Sequence, residues 1–284
     1  MAASTSRQAR SGEEPPAPEA GTFDKAPPRA LLIGVAAGLA ALLLVGTGLV
    51  AWRKLGKRPP SAVAVEALAL AQADADKDTL SSIASAETKA RDALEVAGPR
   101  ARFPQASATL ARIQIQWADA LADEAAQIGD KNAADPRVPQ LQAQAKARLK
   151  SAFDLLSPAL KVNKESPDLM VAFADYYRAQ RLTSSMNRYL ANVKDDPRAA
   201  LIQGMASSRE EEGAEKAIPK LQAAVAATPQ SARAHYRLAL AYLLSKDETS
   251  ARAELKETLR LSPQHERARA LAGQLGPAST AEQK

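Results

Sequence analysis

Five dipeptides in which Asp, Ser or Thr precedes proline recur at nearly even intervals along the second half of this sequence. They are Asp135-Pro136, Ser166-Pro167, Asp196-Pro197, Thr228-Pro229 and Ser262-Pro263. Neighbouring prolines are 31, 30, 32 and 34 residues apart. A short polar side chain can cap the first N–H groups of a helix, and proline is tolerated in the first helical turn. Each pair therefore predicts the start of a helical unit, and the interval is typical of a two-helix solenoid repeat.

The composition favours close-packed helices over sheets. Only 4% of the 284 residues are aromatic, and alanine, the strongest helix former, is abundant. The chain has no cysteine. Disulfides, thiolate metal sites, cysteine nucleophiles and an N-terminal lipoprotein cysteine are therefore excluded.

The net charge of +6 is not spread evenly along the chain. Residues 1–60 contain eight Lys/Arg and four Asp/Glu, whereas residues 61–284 contain 30 and 28. The helical region is thus close to neutral and lacks the basic stripe that phosphate binding requires. We therefore expect no nucleic-acid partner.

An uncharged segment of 23 residues, 30–52, is long enough as a helix to span a hydrocarbon core of about 30 Å. Lys25 and Arg29 precede it, and Trp52 stands at its end, where an interfacial aromatic residue belongs. A basic pair follows Trp52 instead of a small-x-small cleavage site, which favours an uncleaved anchor over a signal peptide. The sequence therefore predicts a transmembrane helix at residues 30–52 that contacts the lipid bilayer.

The predicted membrane segment leaves two questions open. Gly34 and Gly38 form a small-xxx-small pair, which would allow a homodimer, although such residues are common in membrane helices generally. Four basic residues follow the segment within six positions, and three more widely spaced ones precede it. The positive-inside rule then favours a cytoplasmic C-terminal domain, but a large domain can be translocated regardless of this bias.

The regions around this segment differ in composition. Residues 1–29 are rich in Pro, Ala, Ser and Glu and are predicted to form a disordered tail, because they cannot bury enough apolar surface. Residues 53–60 form a basic juxtamembrane linker. Residues 61–166 contain four amphipathic helical patterns, interpreted as degenerate repeats that extend the same stack. Alternatively, the longer third and fourth helices form a separate small bundle.

The clearest repeat lies between Pro229 and Pro263. Its first helix places a large apolar, a small and an aromatic residue in order, and its second helix places a small and a large apolar residue four apart. These are Leu238, Ala239, Tyr242, Ala251 and Leu255. This pattern resembles a tetratricopeptide repeat. The likeness extends over about residues 167–263, and residues 266–275 suit a capping helix.

The resemblance implies an all-α fold: an N-terminal disordered tail, one transmembrane helix, and an α-solenoid of antiparallel helix hairpins. Residues 167–275 would form the repeats and the capping helix, and residues 276–284 a flexible tail. In this family, the first helix of each hairpin lines a groove that binds a peptide or helix of another protein. The implied partner-binding residues are Val171, Asp175, Arg178, Arg233, Tyr236, Arg237, Leu240 and Leu243.

The resemblance also implies a role. Membrane-anchored repeat proteins of this bacterial type commonly act as scaffolds in the assembly of envelope complexes at the inner membrane. The alternative is a chaperone-like accessory subunit that holds clients near a membrane translocation machine. A scaffold would bind one or a few partners, and a chaperone many unrelated ones.

No constellation of reactive groups points to an enzyme, a metal site or another cofactor. Residues 74–78 resemble the start of a calcium loop, but Thr79 and Ser85 stand where that motif requires glycine and glutamate. The cluster is better interpreted as a turn and helix cap. His235 and His265, the only two histidines, are interpreted as structural or solvated.

Overall fold

The computed structural model describes residues 60–97, 103–208 and 213–276. In these ranges the chain forms eleven α-helices and no β-strand, in agreement with the all-α class expected from the sequence. All eleven belong to one compact unit, residues 54–284. They are α1 (Ala62–Asp76), α2 (Leu80–Ala97), α3 (Pro104–Lys131), α4 (Arg137–Val162), α5 (Pro167–Ala179), α6 (Thr183–Leu190), α7 (Pro197–Ser207), α8 (Gly213–Ala227), α9 (Ala232–Leu244), α10 (Glu248–Leu261) and α11 (Glu266–Leu275).

The expectation of a transmembrane helix, and with it of a single-pass membrane protein, is corrected here. Among the described residues, no helix is both long enough and apolar enough to cross a bilayer. Even α3, with 28 residues, carries charged side chains such as Arg112 and Asp119 along its length. Residues 30–52, with Gly34 and Gly38, lie outside the described residues, as do residues 1–29.

The helices pack in chain order as hairpins. Contacts join α1 to α2, α3 to α4, α5 to α6, α7 to α8 and α9 to α10, and α11 packs on α10. Only three to five residues separate the members of each pair, a spacing typical of antiparallel neighbours. Stacking of successive hairpins adds contacts such as those between α8 and α9.

Proline and capping side chains set several helix starts. Pro167 and Pro197 occupy the first turns of α5 and α7, where the sequence predicts them. The last two Ser/Thr-Pro pairs lie instead in the turns before α9 and α11. The side chains of Ser231 and His265 cap these two helices by accepting backbone N–H groups. These four pairs thus begin a unit either at the proline or three residues after it, whereas Asp135-Pro136 precedes α4, the second helix of its hairpin.

Small residues allow the two helices of a hairpin to approach closely. Ala239 of α9 and Ala251 of α10 are fully buried, and Leu255 of α10 fills the seam beside Ala239. In the preceding hairpin, a Cβ atom on Gly204 of α7 would lie 2.5 Å from Cγ of Leu221 in α8. Only glycine therefore permits this approach of α7 to α8.

Helix α3 lies at the centre of the described unit. Its Ile115 packs with Leu156 of α4 and with residues of α5, while Ile113 packs against Ile83 of α2. Both isoleucines are buried. A helix that is covered on several sides belongs to a core, and this one also buries polar side chains. These polar side chains determine what the repeats can present to a partner.

Candidate protein-interaction site

Helices α5, α9 and α11 turn a set of arginines toward α3. We call this surface the inner wall and define it by Arg178, Arg233, Arg237 and Arg267. The carboxylates that meet it belong to Asp119 and Asp123 of α3 and to Asp78 in the turn between α1 and α2. The first two hairpins therefore supply the acidic side chains, and the later hairpins the basic ones.

Asp119 is buried and accepts hydrogen bonds from two of these arginines. Its Oδ1 and Oδ2 atoms accept hydrogen bonds from Nη1 and Nη2 of Arg178, at 3.1 and 2.7 Å. Arg233 donates to the same Oδ2 atom at 3.1 Å. Burial opposes the charged form of Arg178, but the carboxylates of Asp119 and Asp175 raise its pKa above the ordinary value. The charges compensate one another through direct ion pairs.

Asp123 and Asp78 form similar ion pairs with arginines of the C-terminal helices α9 and α11. Asp123 pairs with Arg237 at 2.9 Å and with Arg267 at 3.1 Å. Asp78 accepts from Arg267 at 2.6 Å, and Nε2 of His265 lies 3.3 Å from its carboxylate. Burial favours the neutral form of Asp78, but Arg267 and His265 hold its pKa well below the usual range. The first hairpin is thereby tied to the last helix.

Six of the eight predicted partner-binding residues are buried. Sequence reasoning expects them on an open groove, but α3 occupies that face of the repeats. Val171 packs inside its own hairpin, against α6, and Tyr236 stacks beside His265 with ring centroids 4.8 Å apart. The six buried residues are Val171, Asp175, Arg178, Arg233, Tyr236 and Arg237.

Helices α8 to α11 have a recognisable sequence signature. Residues 209–275 match the tetratricopeptide repeat family model. Repeats of this family generally mediate protein–protein interaction, and their all-helical fold is typically a non-catalytic scaffold. No curated protein matches the chain.

Part of the surface beside the matched segment stays open near the C-terminal part of α3. A cavity of about 350 Å³, here called the inner cavity, lies between α7, α9 and the C-terminal part of α3. It is lined by Asp123, Met205, Ser208, Arg237, Leu240, Leu243 and Leu244. Three of the predicted partner-binding residues, Arg237, Leu240 and Leu243, therefore come together here. Leu244 at the rim is 58% exposed.

Sequence reasoning missed the acidic partners of the inner wall. Gln116, Asp119 and Asp123 recur at helical spacing along one face of α3, and such a polar stripe ordinarily faces water. The unusual length of α3, 28 residues against 13 for α5 and α9, is the signal that could have drawn attention to it. Sequence reasoning also missed a larger cavity, which lies between α4, α5 and α6.

The two histidines and the acidic turn have structural contacts. His265 caps α11, since its Nδ1 atom accepts the N–H of Ala268 at 3.1 Å, so its Nε2–H donates to Asp78. His235 lies in the seam of the last repeat, beside Glu254 of α10. In the last turn of α1, Asp74 pairs with Lys77, which follows the helix, and with Lys89 of α2.

Proposed function

We propose that this chain is a protein-interaction scaffold that binds a short apolar segment of a partner, a peptide or one face of a helix, in its inner cavity. The observation that carries the proposal is the set of leucines on α9 beside this cavity. Leu240 and Leu243 are partly exposed and Leu244 is largely exposed. They project from α9, which packs against α8 and α10, and they lie next to the Arg237–Asp123 ion pair.

The size and chemistry of the inner cavity favour a few apolar side chains over a long ligand. Its volume of about 350 Å³ lies at the lower end of the range for ligand pockets. Burial of apolar surface contributes about 25 cal/mol per Å² to the free energy of binding. Because α9 is already ordered, little further conformational entropy is lost on its side of the contact. Arg237 is already paired with Asp123, so charge contributes less to this site than shape and apolar contact.

The occupied inner wall limits the mode of binding. A partner that lay along the first helices of the later hairpins, α5, α7 and α9, would have to displace α3. Ile113 and Ile115 of α3 are part of the core. We therefore propose that recognition takes place at the end of α3 and leaves the internal ion pairs intact.

Site-specific photo-cross-linking tests this proposal in cells that produce the full chain. A photoreactive phenylalanine derivative replaces Leu244, and the matched control carries it at Leu70, which is 51% exposed on α1. We expect one or a few discrete adducts from position 244, none of them from position 70, and their loss when Leu243 is also replaced by Glu. Circular dichroism checks that the Leu243→Glu variant stays folded.

Two results would contradict the proposal. The same adducts from positions 244 and 70 would mean that the inner cavity has no particular partner. A broad collection of unrelated adducts from position 244 would instead support a chaperone-like role.

A further inference from the structure

Helix α6 is markedly shorter than its counterparts. It has 8 residues, whereas α8 and α10, the second helices of the following hairpins, have 15 and 14. The difference corresponds to about 9–10 Å of helix. The surface formed by α4 and α5 is consequently left uncovered next to the end of α6. A cavity of about 650 Å³, here called the outer cavity, opens between these three helices.

The floor of the outer cavity is aromatic in a chain that has few aromatic residues. Five of the eleven Phe, Trp and Tyr residues of the whole sequence form one network here. The ring of Phe173 stacks on those of Tyr189 and Tyr177, with centroids 5.1 and 6.2 Å apart. Phe153 meets Phe173 edge-on at 6.5 Å, and 39% of its surface is exposed. An aromatic network with an exposed member is typical of a binding surface.

The rim of the outer cavity is positively charged. Lys161, Lys164 and Arg188 belong to its lining, which includes no acidic residue. All three are exposed, and none of them forms an ion pair with any residue that the structure describes. Charges held without a counter-ion beside an apolar floor favour a ligand that brings negative charge.

We propose that the outer cavity binds a short acidic segment of a partner protein. One aromatic or large aliphatic side chain of the segment enters between Phe153 and Tyr189. Neighbouring carboxylates of the segment contact Lys161, Lys164 and Arg188. The site lies between α4, α5 and α6, whereas the inner cavity lies between α7, α9 and α3, so the two sites are separate.

A peptide fits this surface better than a nucleic acid does. Stacked aromatic rings with cations can also hold unpaired bases, but nucleic-acid binding normally needs a basic groove that follows the backbone over several nucleotides. Here the unpaired cations surround one cavity, and residues 61–284 carry almost equal numbers of basic and acidic side chains.

Fluorescence anisotropy with the purified full chain tests the proposal. The probe is a fluorescein-labelled EDEFEDE heptapeptide, and the matched probes are EDEAEDE, which lacks the aromatic anchor, and KRKFKRK, which has the opposite charge. We expect saturable binding of EDEFEDE and affinities at least about tenfold lower for the other two. The variant Lys161→Glu/Lys164→Glu should weaken EDEFEDE binding by about tenfold or more. The variant Phe153→Ala, which truncates a partly exposed ring, should also weaken it.

The control variant Lys146→Glu/Lys256→Glu changes the net charge by the same amount at exposed positions outside the outer cavity. Its affinity for EDEFEDE should stay within about twofold of the parent value, because long-range charge is screened at physiological salt. Equal losses in the two double variants would overturn the proposal. Equal binding of EDEAEDE and EDEFEDE would also overturn it, as would stronger binding of a uridine decanucleotide than of the peptide.

Discussion

Arg178 donates two hydrogen bonds to the carboxylate of Asp119, a residue 59 positions earlier in the chain. The two side chains are 0% and 4% exposed. Their pairing joins α5 to α3, and Arg233 of α9 reaches the same carboxylate. Charges removed from water are tolerated only when they compensate one another, so this contact fixes α3 on the inner wall of the repeats.

Removal of the Asp119 carboxylate should destabilise the fold severely. Asp119→Ala removes the ion-pair partner of Arg233 and leaves Arg178 with Asp175 alone, and we expect a loss of about 3–5 kcal/mol in the free energy of unfolding. Urea denaturation measures this loss in the free energy of unfolding. Asp154→Ala is the matched control, because the Lys150–Asp154 pair is largely exposed and should contribute less than about 1 kcal/mol. Similar small losses in both variants would show that the Asp119 contacts do not hold α3.

Gly204→Ala should destabilise the protein even though alanine is the better helix former. The new Cβ atom would meet Cγ of Leu221 at 2.5 Å, and Leu221 is fully buried and has little room to move. We expect a net loss of about 1–2 kcal/mol after the gain in helix propensity is counted. The loss in the free energy of unfolding that Gly204→Ala causes, measured by urea denaturation, should be smaller when Leu221 is already replaced by Ala, because the clash is partly relieved. Gly129→Ala, whose Cβ would meet only Val138 at 3.9 Å, should cause no loss.

His235 should make the stability of the last repeat depend on pH. Its Nδ1 atom lies 2.6 Å from a carboxylate oxygen of Glu254, and its Nε2 atom lies 3.2 Å from the carbonyl oxygen of Pro229. Only the protonated ring can donate to both. Burial favours the neutral ring, but these two acceptors raise the pKa of His235 above its ordinary value of 6.5. The stabilising contribution is therefore complete below about pH 6.5 and is lost as the pH rises through the folded-state pKa.

Urea denaturation at about pH 5.5 and pH 8.5 measures this effect against the variant His235→Gln. The free energy of unfolding of the parent should fall more between the two pH values than that of the variant. The chain has two histidines, so NMR titration of their ring protons follows His235 directly. Equal pH dependence in the parent and the variant would exclude this contribution.

Much of the helical architecture can be predicted from local signals. Pro167 and Pro197 begin helices because the fixed backbone angle of proline suits a first turn. Ala239 and Ala251 mark the seam of the last hairpin because only small side chains allow so close an approach. Each of these signals lies within a single hairpin.

The occupation of the inner wall could not be predicted in the same way. Arg267 and Asp78 are 189 residues apart in sequence, and Arg233 and Asp119 are 114 apart. Helical periodicity shows that Asp119 lies on a polar face, but it does not show whether water or another helix meets that face. The outer cavity could not be predicted from the sequence either. The apolar spacing that continues from Leu190 to Val193 is typical of a longer helix, whereas α6 ends at Leu190.

Native-state hydrogen exchange of the unmodified protein shows most directly whether α3 stays on the inner wall. Residues 113–123 of α3 and residues 233–241 of α9 are joined by the Arg233–Asp119 and Arg237–Asp123 ion pairs. Their amides should exchange equally slowly, through global unfolding alone. Exchange of the α3 amides many times faster than that of a still-protected α9 would contradict this structure of the site, because the inner wall would then open as a groove in the native state.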